Sequence, residues 1–343
     1  MEMPRPPHES LAASSSPVII HGEADVGRPA SPLSEGAAKE PQRESTAMGA
    51  PKRAEVFMKN LVSRLTSSAI LIGLVLGALF WFPLWVFALV VTGFVTIALY
   101  EFFTMVRHRG ILVHRPLSVS LGVVFTALVA WRSLVEPGLV PTPMLGAGAT
   151  VMSWMWDIFW PATIVIIFIR QLTRENTFEA LGGVATTLFG LAYIAALFSY
   201  FFYIRTLHPK QGAWLVLFLI LVTKLGDVGA YAVGNMLGRH TLIVRIRPRK
   251  TVEGLIGAVL FSGITAVLAR SMLGHALHPF WCLLLGCFLG FCGQLGDLAE
   301  SLLKRDCQIK DSGTLMPGLG GMLDIIDSLL FTAPLFYGFL IYG

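Results

Sequence analysis

Charge is scarce in this chain: Asp, Glu, Lys and Arg together make up 14% of its 343 residues. Its eight histidines show no metal-ligand spacing and its four cysteines form no CxxC pair, which argues against a structural zinc site or a dithiol redox centre. Three of those cysteines, Cys282, Cys287 and Cys292, share one apolar run, where small buried side chains are the ordinary explanation. There is no nucleophile elbow, no Walker-type loop and no pattern suited to nucleic acid, so none is expected as a partner. A short apolar core with a cleavage site is also missing near the start, so no secretory signal is expected. Hydrophobic residues take the place of all this. They account for 55% of the chain, mean hydropathy is +0.69, and apolar runs recur through most of its length. The expectation is an all-α, polytopic membrane protein.

Residues 1–50, rich in Pro, Ser, Ala, Gly and Glu, read as a disordered cytoplasmic tail. Nine apolar segments follow, at roughly 67–82, 84–105, 117–131, 152–169, 181–203, 213–236, 252–269, 279–299 and 321–342. Each approaches the ~20 residues that a membrane-crossing helix needs. About nine transmembrane helices are therefore predicted, with Pro83 leaving open whether the first long run is a kinked pair or a re-entrant hairpin. With a cytoplasmic amino terminus, seventeen Lys and Arg fall on the inner side and four, Arg132, Arg205, Lys210 and Arg270, on the outer side. That bias fixes the orientation. No organelle-targeting segment is evident, so a multi-pass protein of a cell inner membrane is expected, with membrane lipids as its surroundings. Residues 51–206 hold N-terminal helices with little obvious chemistry, and residues 207–343 hold the polar motifs. Gly182, Gly183 and Gly190, and Gly286 with Gly290, allow close helix contacts and give a weak hint of a homodimer.

The scarce charge is concentrated. Between Gly293 and Ser328 the chain places Asp297, Glu300, Lys304, Arg305, Lys310, Asp311, Asp324 and Asp327 between two apolar runs. Ionisable groups at membrane depth cost several kcal/mol unless paired, hydrated or ion-bound, so a functional site is the default reading. On a helix, Asp297, Glu300, Ser301 and Lys304 share one face, and Asp324, Asp327 and Ser328 repeat the pattern at the start of the next run. Asp311-Ser-Gly and Pro317-Gly-Leu-Gly-Gly break the helix between them and let the acidic faces approach. Carboxylates so placed repel unless a cation separates them. Oxygen-only ligands favour Mg²⁺ or a similar hard ion, which leaves room for phosphates, and nearby Lys and Arg would bind the remaining phosphate charge.

Upstream, Lys224, Asp227 and Tyr231 fall at i, i+3 and i+7 in an apolar span. An internal ion pair is one explanation for the first two. A basic block follows, with Arg239, Arg245, Arg247, Arg249 and Lys250 in the order Arg-Ile-Arg-Pro-Arg-Lys-Thr-Val-Glu-Gly. Topology and anionic headgroups alone would recruit such residues, but the fixed order favours phosphate binding.

The run Ser301-Leu-Leu-Lys304-Arg305, then Lys310-Asp311-Ser-Gly, then Pro317-Gly-Leu-Gly-Gly-Met-Leu-Asp324-Ile-Ile-Asp327 resembles the signature of phosphatidate cytidylyltransferases, or CDP-diacylglycerol synthases. The Asp227-containing span and the Pro-Arg-Lys-Thr-Val-Glu-Gly block resemble two further parts of that family, in the same order. Leu319 and Ile325 stand where the family pattern carries His and Arg. The resemblance implies CTP and phosphatidic acid as substrates, and Mg²⁺, with room for a second monovalent or divalent cation. It implies a catalytic role for Asp297, Lys304 and Asp324, with Asp297, Asp324 and Asp327 holding the metal. Asp227, Arg249, Lys250, Ser301, Arg305, Lys310 and Asp311 are the implied substrate-binding set. A transferase acting on another lipid phosphate, or a non-catalytic lipid-binding paralogue, stays open at this point.

Overall fold

The structure, a computed structural model, describes residues 50–135, 153–173, 180–274, 277–313, 316, 318 and 320–342. Residues 1–49 of the expected tail, Arg174, and Pro317 and Leu319 of the signature lie outside the described residues. The chain runs through α1 (Ala50–Phe80), α2 (Leu84–His108), α3 (Arg115–Val135), α4 (Ser153–Leu172) and α5 (Ala180–Gly190). A π-helical turn, Leu191–Ala196, leads on to α6 (Tyr200–Leu207), followed by α7 (Gly212–Leu237). A small antiparallel hairpin, β1 (Thr241–Ile243) and β2 (Arg247–Thr251), precedes α8 (Val252–Leu268), α9 (Pro279–Asp306) and α10 (Met322–Tyr342).

Seven stretches among the described residues are long and apolar enough to cross a membrane: Val62–Phe80, Leu84–His108, Arg115–Val135, Ala180–Leu207, Gly212–Leu237, Pro279–Asp306 and Met322–Tyr342. Two shorter apolar helices, Ile158–Leu172 and Val252–Leu268, stand at the other two expected positions. The protein is a multi-pass helical membrane protein. Pro83 separates two helices rather than kinking one, because its backbone is extended (ψ 155°) and α2 starts only at Leu84. α8 is short because polar groups bound it. The Thr251 hydroxyl accepts from the Gly254 amide at its start, and Arg270 lies just past its end.

Large apolar side chains such as Leu181, Leu268 and Met236 are about four-fifths exposed, as expected of surfaces that meet lipid instead of water. The interior is built from α2 (Val95, Ala98, Leu99, Phe102, Phe103), α7 (Leu215, Phe218, Leu219, Val222) and α10 (Leu330, Ala333, Phe336). α7, α8, α9 and α10 form a tightly packed bundle. α8 and α9 approach so closely that a Cβ on Gly286 would meet the Ser262 carbonyl at 2.6 Å. Gly286 and Gly290 are thus used within the chain.

Candidate active site

The polar residues expected from the sequence lie on the C-terminal half of α9, the first turns of α10, the C-terminal half of α7 and the hairpin. Gly296 sets the spacing of α9 and α10. A Cβ there would stand 2.6 Å from the Asp327 carbonyl oxygen and 3.2 Å from Ser328 Cα, so only glycine lets the α10 backbone come this near. One carboxylate oxygen from each of Asp297, Glu300 and Asp327 consequently lies within 4.8 Å of the others. Glu300 and Asp327 are buried and Asp297 is half-buried.

Each carboxylate has a different set of neighbours. Asp297 is paired with Arg247 and, at 2.5 Å, with Lys250, two cations delivered by β2. On a regular strand, residues three apart would face opposite ways. Here the pairing shifts from Ile243↔Arg247 to Thr241↔Thr251, a bulge that turns both side chains toward Asp297 while Arg249 stays exposed. Burial opposes the charge on Arg247, but the Asp297 carboxylate outweighs it and holds the guanidinium pKa above its ordinary value. Glu300 is fully buried, receives no hydrogen bond and is neutralised through its ion pair with Lys304. Lys304 also binds Asp324 at 2.5 Å. Asp327 forms no ion pair among the described residues and accepts the Ser328 amide, at 2.5 Å.

A second polar chain joins this cluster from α7. The Lys224 ammonium donates to the Ile325 carbonyl (2.8 Å) and the Ser328 hydroxyl (2.9 Å), and lies 3.3 Å from Asp227. Asp227 accepts from Gln294, whose own carbonyl accepts from Lys250, both at 2.9 Å. Asp227, Asp297, Glu300, Asp324 and Asp327 face Lys224, Arg247, Lys250 and Lys304. One negative charge among these side chains is left over.

Asp324 stands apart from the three convergent carboxylates. Its Oδ2 accepts the Ser312 amide (3.0 Å), the Ser312 hydroxyl (2.9 Å) and the Gly321 amide (2.8 Å), which fasten the connecting loop. A carboxylate with that many donors and a lysine is already satisfied. Glu101 of α2, which the sequence reading passed over, is buried against the same loop and accepts from Ser312, Met322 and Leu323. Its only warning in the sequence is a single acid inside an apolar run, the pattern that marks Asp227 as well. Arg247, Gln294 and Glu300 are further members that were not in the predicted set. Of the predicted substrate-binding residues, Asp227 and Lys250 join the cluster. Ser301 is buried with its hydroxyl unpartnered, and Arg305 donates to the Ile246 carbonyl at 3.2 Å and so braces the hairpin. Lys310 and Asp311 are exposed on the loop.

The family model of the cytidylyltransferase family matches residues 62–342, nearly all of the described chain. The chain belongs to the cytidylyltransferase family. Among curated relatives, the phosphatidate cytidylyltransferase of Synechocystis is 33% identical over 285 residues, covering 75% of this chain and 89% of that one. The phosphatidate cytidylyltransferase of Mycobacterium tuberculosis is 29% identical over 327 residues, 94% of this chain and 92% of that one. The uncharacterized protein YnbB of Escherichia coli is 42% identical over 159 residues, 46% of this chain and 51% of that one.

For a cytidylyltransferase the arrangement is chemically apt. Three converging carboxylates, one of them without an ion pair among the described residues, offer oxygen donors only, and the donor set fits a hard divalent cation. Arg247 and Lys250, on the Asp297 flank, are donors of the kind that bind phosphate oxygens once a metal ion takes up the carboxylate charge.

Proposed function

We propose that this protein is a membrane phosphatidate cytidylyltransferase, joining CTP to phosphatidic acid to give CDP-diacylglycerol and pyrophosphate. The observation that carries the reading is the convergence of Asp297, Glu300 and Asp327 between α9 and α10, bordered by Arg247, Lys250 and Lys304. The names of its relatives agree with it.

An oxygen of the lipid phosphate forms a bond to the α-phosphorus of CTP, the bond from that phosphorus to the bridging oxygen of the β-phosphate breaks, and pyrophosphate leaves. A phosphate monoester is already a nucleophile, so no enzyme nucleophile is required and positioning and electrostatics supply the acceleration. Arg247 and Lys250 hold the triphosphate, with Arg249 and Lys310 at the open edge of the site and Asp227 orienting Lys250 through Gln294. Lys304, fixed between Glu300 and Asp324, keeps positive charge beside the reacting groups as negative charge builds on the leaving oxygen. Asp297, Glu300 and Asp327 would hold Mg²⁺, which when bound supplies charge neutralisation to the phosphates. Asp324 secures the loop that brings Lys304 and α10 together. The bias of Lys and Arg supports a cytoplasmic site, where soluble nucleotide is available.

The test is pyrophosphate release by purified protein in detergent with CTP and dioleoyl phosphatidic acid. Release that requires both substrates, is abolished by EDTA and returns with Mg²⁺ is the expected result. Folded protein that binds CTP yet releases no pyrophosphate under any of these conditions would overturn the reading.

A further inference from the structure

The first amides of a helix have no partner within it and are normally met by a side chain at the N-cap. In α10 that position is Gly321, which has no side chain to offer. The carboxylate of Glu101, from α2 and more than two hundred residues earlier, takes the place: Oε1 accepts the Met322 amide at 3.0 Å and Oε2 the Leu323 amide at 2.9 Å. Asp324 completes the arrangement from within the helix by accepting the Gly321 amide at 2.8 Å. Asp324 thus supplies the N3 half of a capping box, and Glu101, from another helix, meets the first two helix amides in place of an N-cap side chain.

Two more observations show that the position is built for this carboxylate. Glu101 is 6% exposed and has no ion pair among the described residues, so its charge is balanced by the two amides, the Ser312 hydroxyl at 3.2 Å and the positive end of the α10 dipole. The loop also makes room for it. A Cβ on Gly313 would stand 2.7 Å from the Glu101 carboxyl carbon, and one on Gly321 would stand 2.5 Å from its Oε2.

We propose that Glu101 is a positioning residue for the metal-binding carboxylates, capping α10 from α2 and so fixing the register at which Asp327 meets Asp297 and Glu300. Asp327 lies one turn beyond the capped Leu323 amide. Slippage of the helix start by one residue turns its side chain by about 100° away from α9. Glu101 touches neither nucleotide nor lipid in this scheme. The activity consequences rest on the cytidylyltransferase reading above, but the structural consequences do not.

Glu101→Ala and Glu101→Gln separate the possibilities. Hydrogen exchange followed on peptides spanning 320–325 is expected to speed up about tenfold in Glu101→Ala, less in Glu101→Gln, which keeps one acceptor, and not at all in the middle of α9. Pyrophosphate release is expected to lose kcat on the order of 100-fold in the alanine variant with KM for CTP unchanged, since Arg247 and Lys250 are untouched, and Glu101→Gln should recover part of the loss. If Glu101→Ala does not fold, the glutamine variant alone decides. Unchanged exchange at 320–325 in either folded variant, or a loss expressed in KM for CTP instead of kcat, overturns the proposal. A wild-type protein without pyrophosphate release would remove the proposed function while the exchange measurement still decided the role of Glu101.

Discussion

Asp324 and Asp327 are three residues apart, yet their surroundings assign them different work. Asp324 is saturated by Lys304, Ser312 and Gly321, whereas Asp327 is buried, accepts the Ser328 amide and forms no ion pair among the described residues. Replacing Asp324 with Ala therefore removes charge-assisted hydrogen bonds and is expected to lower stability by about 2 kcal/mol, visible as an earlier thermal unfolding transition. Replacing Asp327 with Asn removes a buried carboxylate that has no ion pair among the described residues. That variant is expected to unfold no earlier than wild type while its pyrophosphate release falls on the order of 100-fold or more. If the two variants exchanged these profiles, the assignment of metal ligand and loop fastener would have to be reversed. From spacing alone both aspartates lay on one helical face, and nothing local distinguished them. The difference comes from Ser312 and Gly321, whose backbone path depends on the tertiary fold. Ile325, placed where the family pattern carries Arg, takes part through its carbonyl, which accepts from Lys224, a role that does not depend on its side chain.

At the level of elements, the hairpin was the least legible part of the site. The sequence showed a basic block before α8 and could not say which cations turn inward, because that depends on a bulge between Ile243↔Arg247 and Thr241↔Thr251. The helices were readable: the acidic faces of α9 and α10 follow from residue spacing, and the Gly-rich breaks between them follow from turn chemistry. The hairpin is braced from outside by the Arg305 side chain on the Ile246 carbonyl and by Glu253, which accepts the Arg239 amide at 3.1 Å. Arg305→Ala is expected to raise KM for CTP with a smaller change in kcat, because it loosens the element that presents Arg247 and Lys250 without touching the carboxylates. Arg247→Ala should cost more than Arg249→Ala in the same assay, the first being turned toward Asp297 and the second outward. Equal losses would mean that the bulge does not persist in the working enzyme.

For the molecule as a whole, hydropathy and the placement of Lys and Arg were enough to read a multi-pass helical membrane protein with its polar residues toward the C-terminal end. Glu101 was not readable in the same way, since its partners lie in the last tenth of the chain. The orientation inferred from the charge bias is open to direct measurement. A cysteine placed at the exposed Arg249 is expected to react with a membrane-impermeant maleimide in inside-out vesicles and to be silent in intact cells. The native cysteines offer little background: Cys282, Cys292 and Cys307 are buried and Cys287 is half-buried. Labelling in intact cells would place the site on the other side.

α8 carries a consequence for the bilayer itself. It has 17 residues, about 26 Å of helix, against a hydrocarbon thickness of about 30 Å. Ile256, Leu260, Ile264 and Leu268 form an exposed apolar stripe along its length, as a lipid-facing surface would. Acyl chains next to a span this short are expected to compress, dimpling the membrane on the flank where the hairpin ends. Such a dimple would bring headgroups toward the carboxylates and shorten the way a lipid phosphate travels to reach them. Turnover is accordingly expected to fall as the protein is reconstituted into bilayers of lengthening acyl chain, where the same dimple becomes costlier to form.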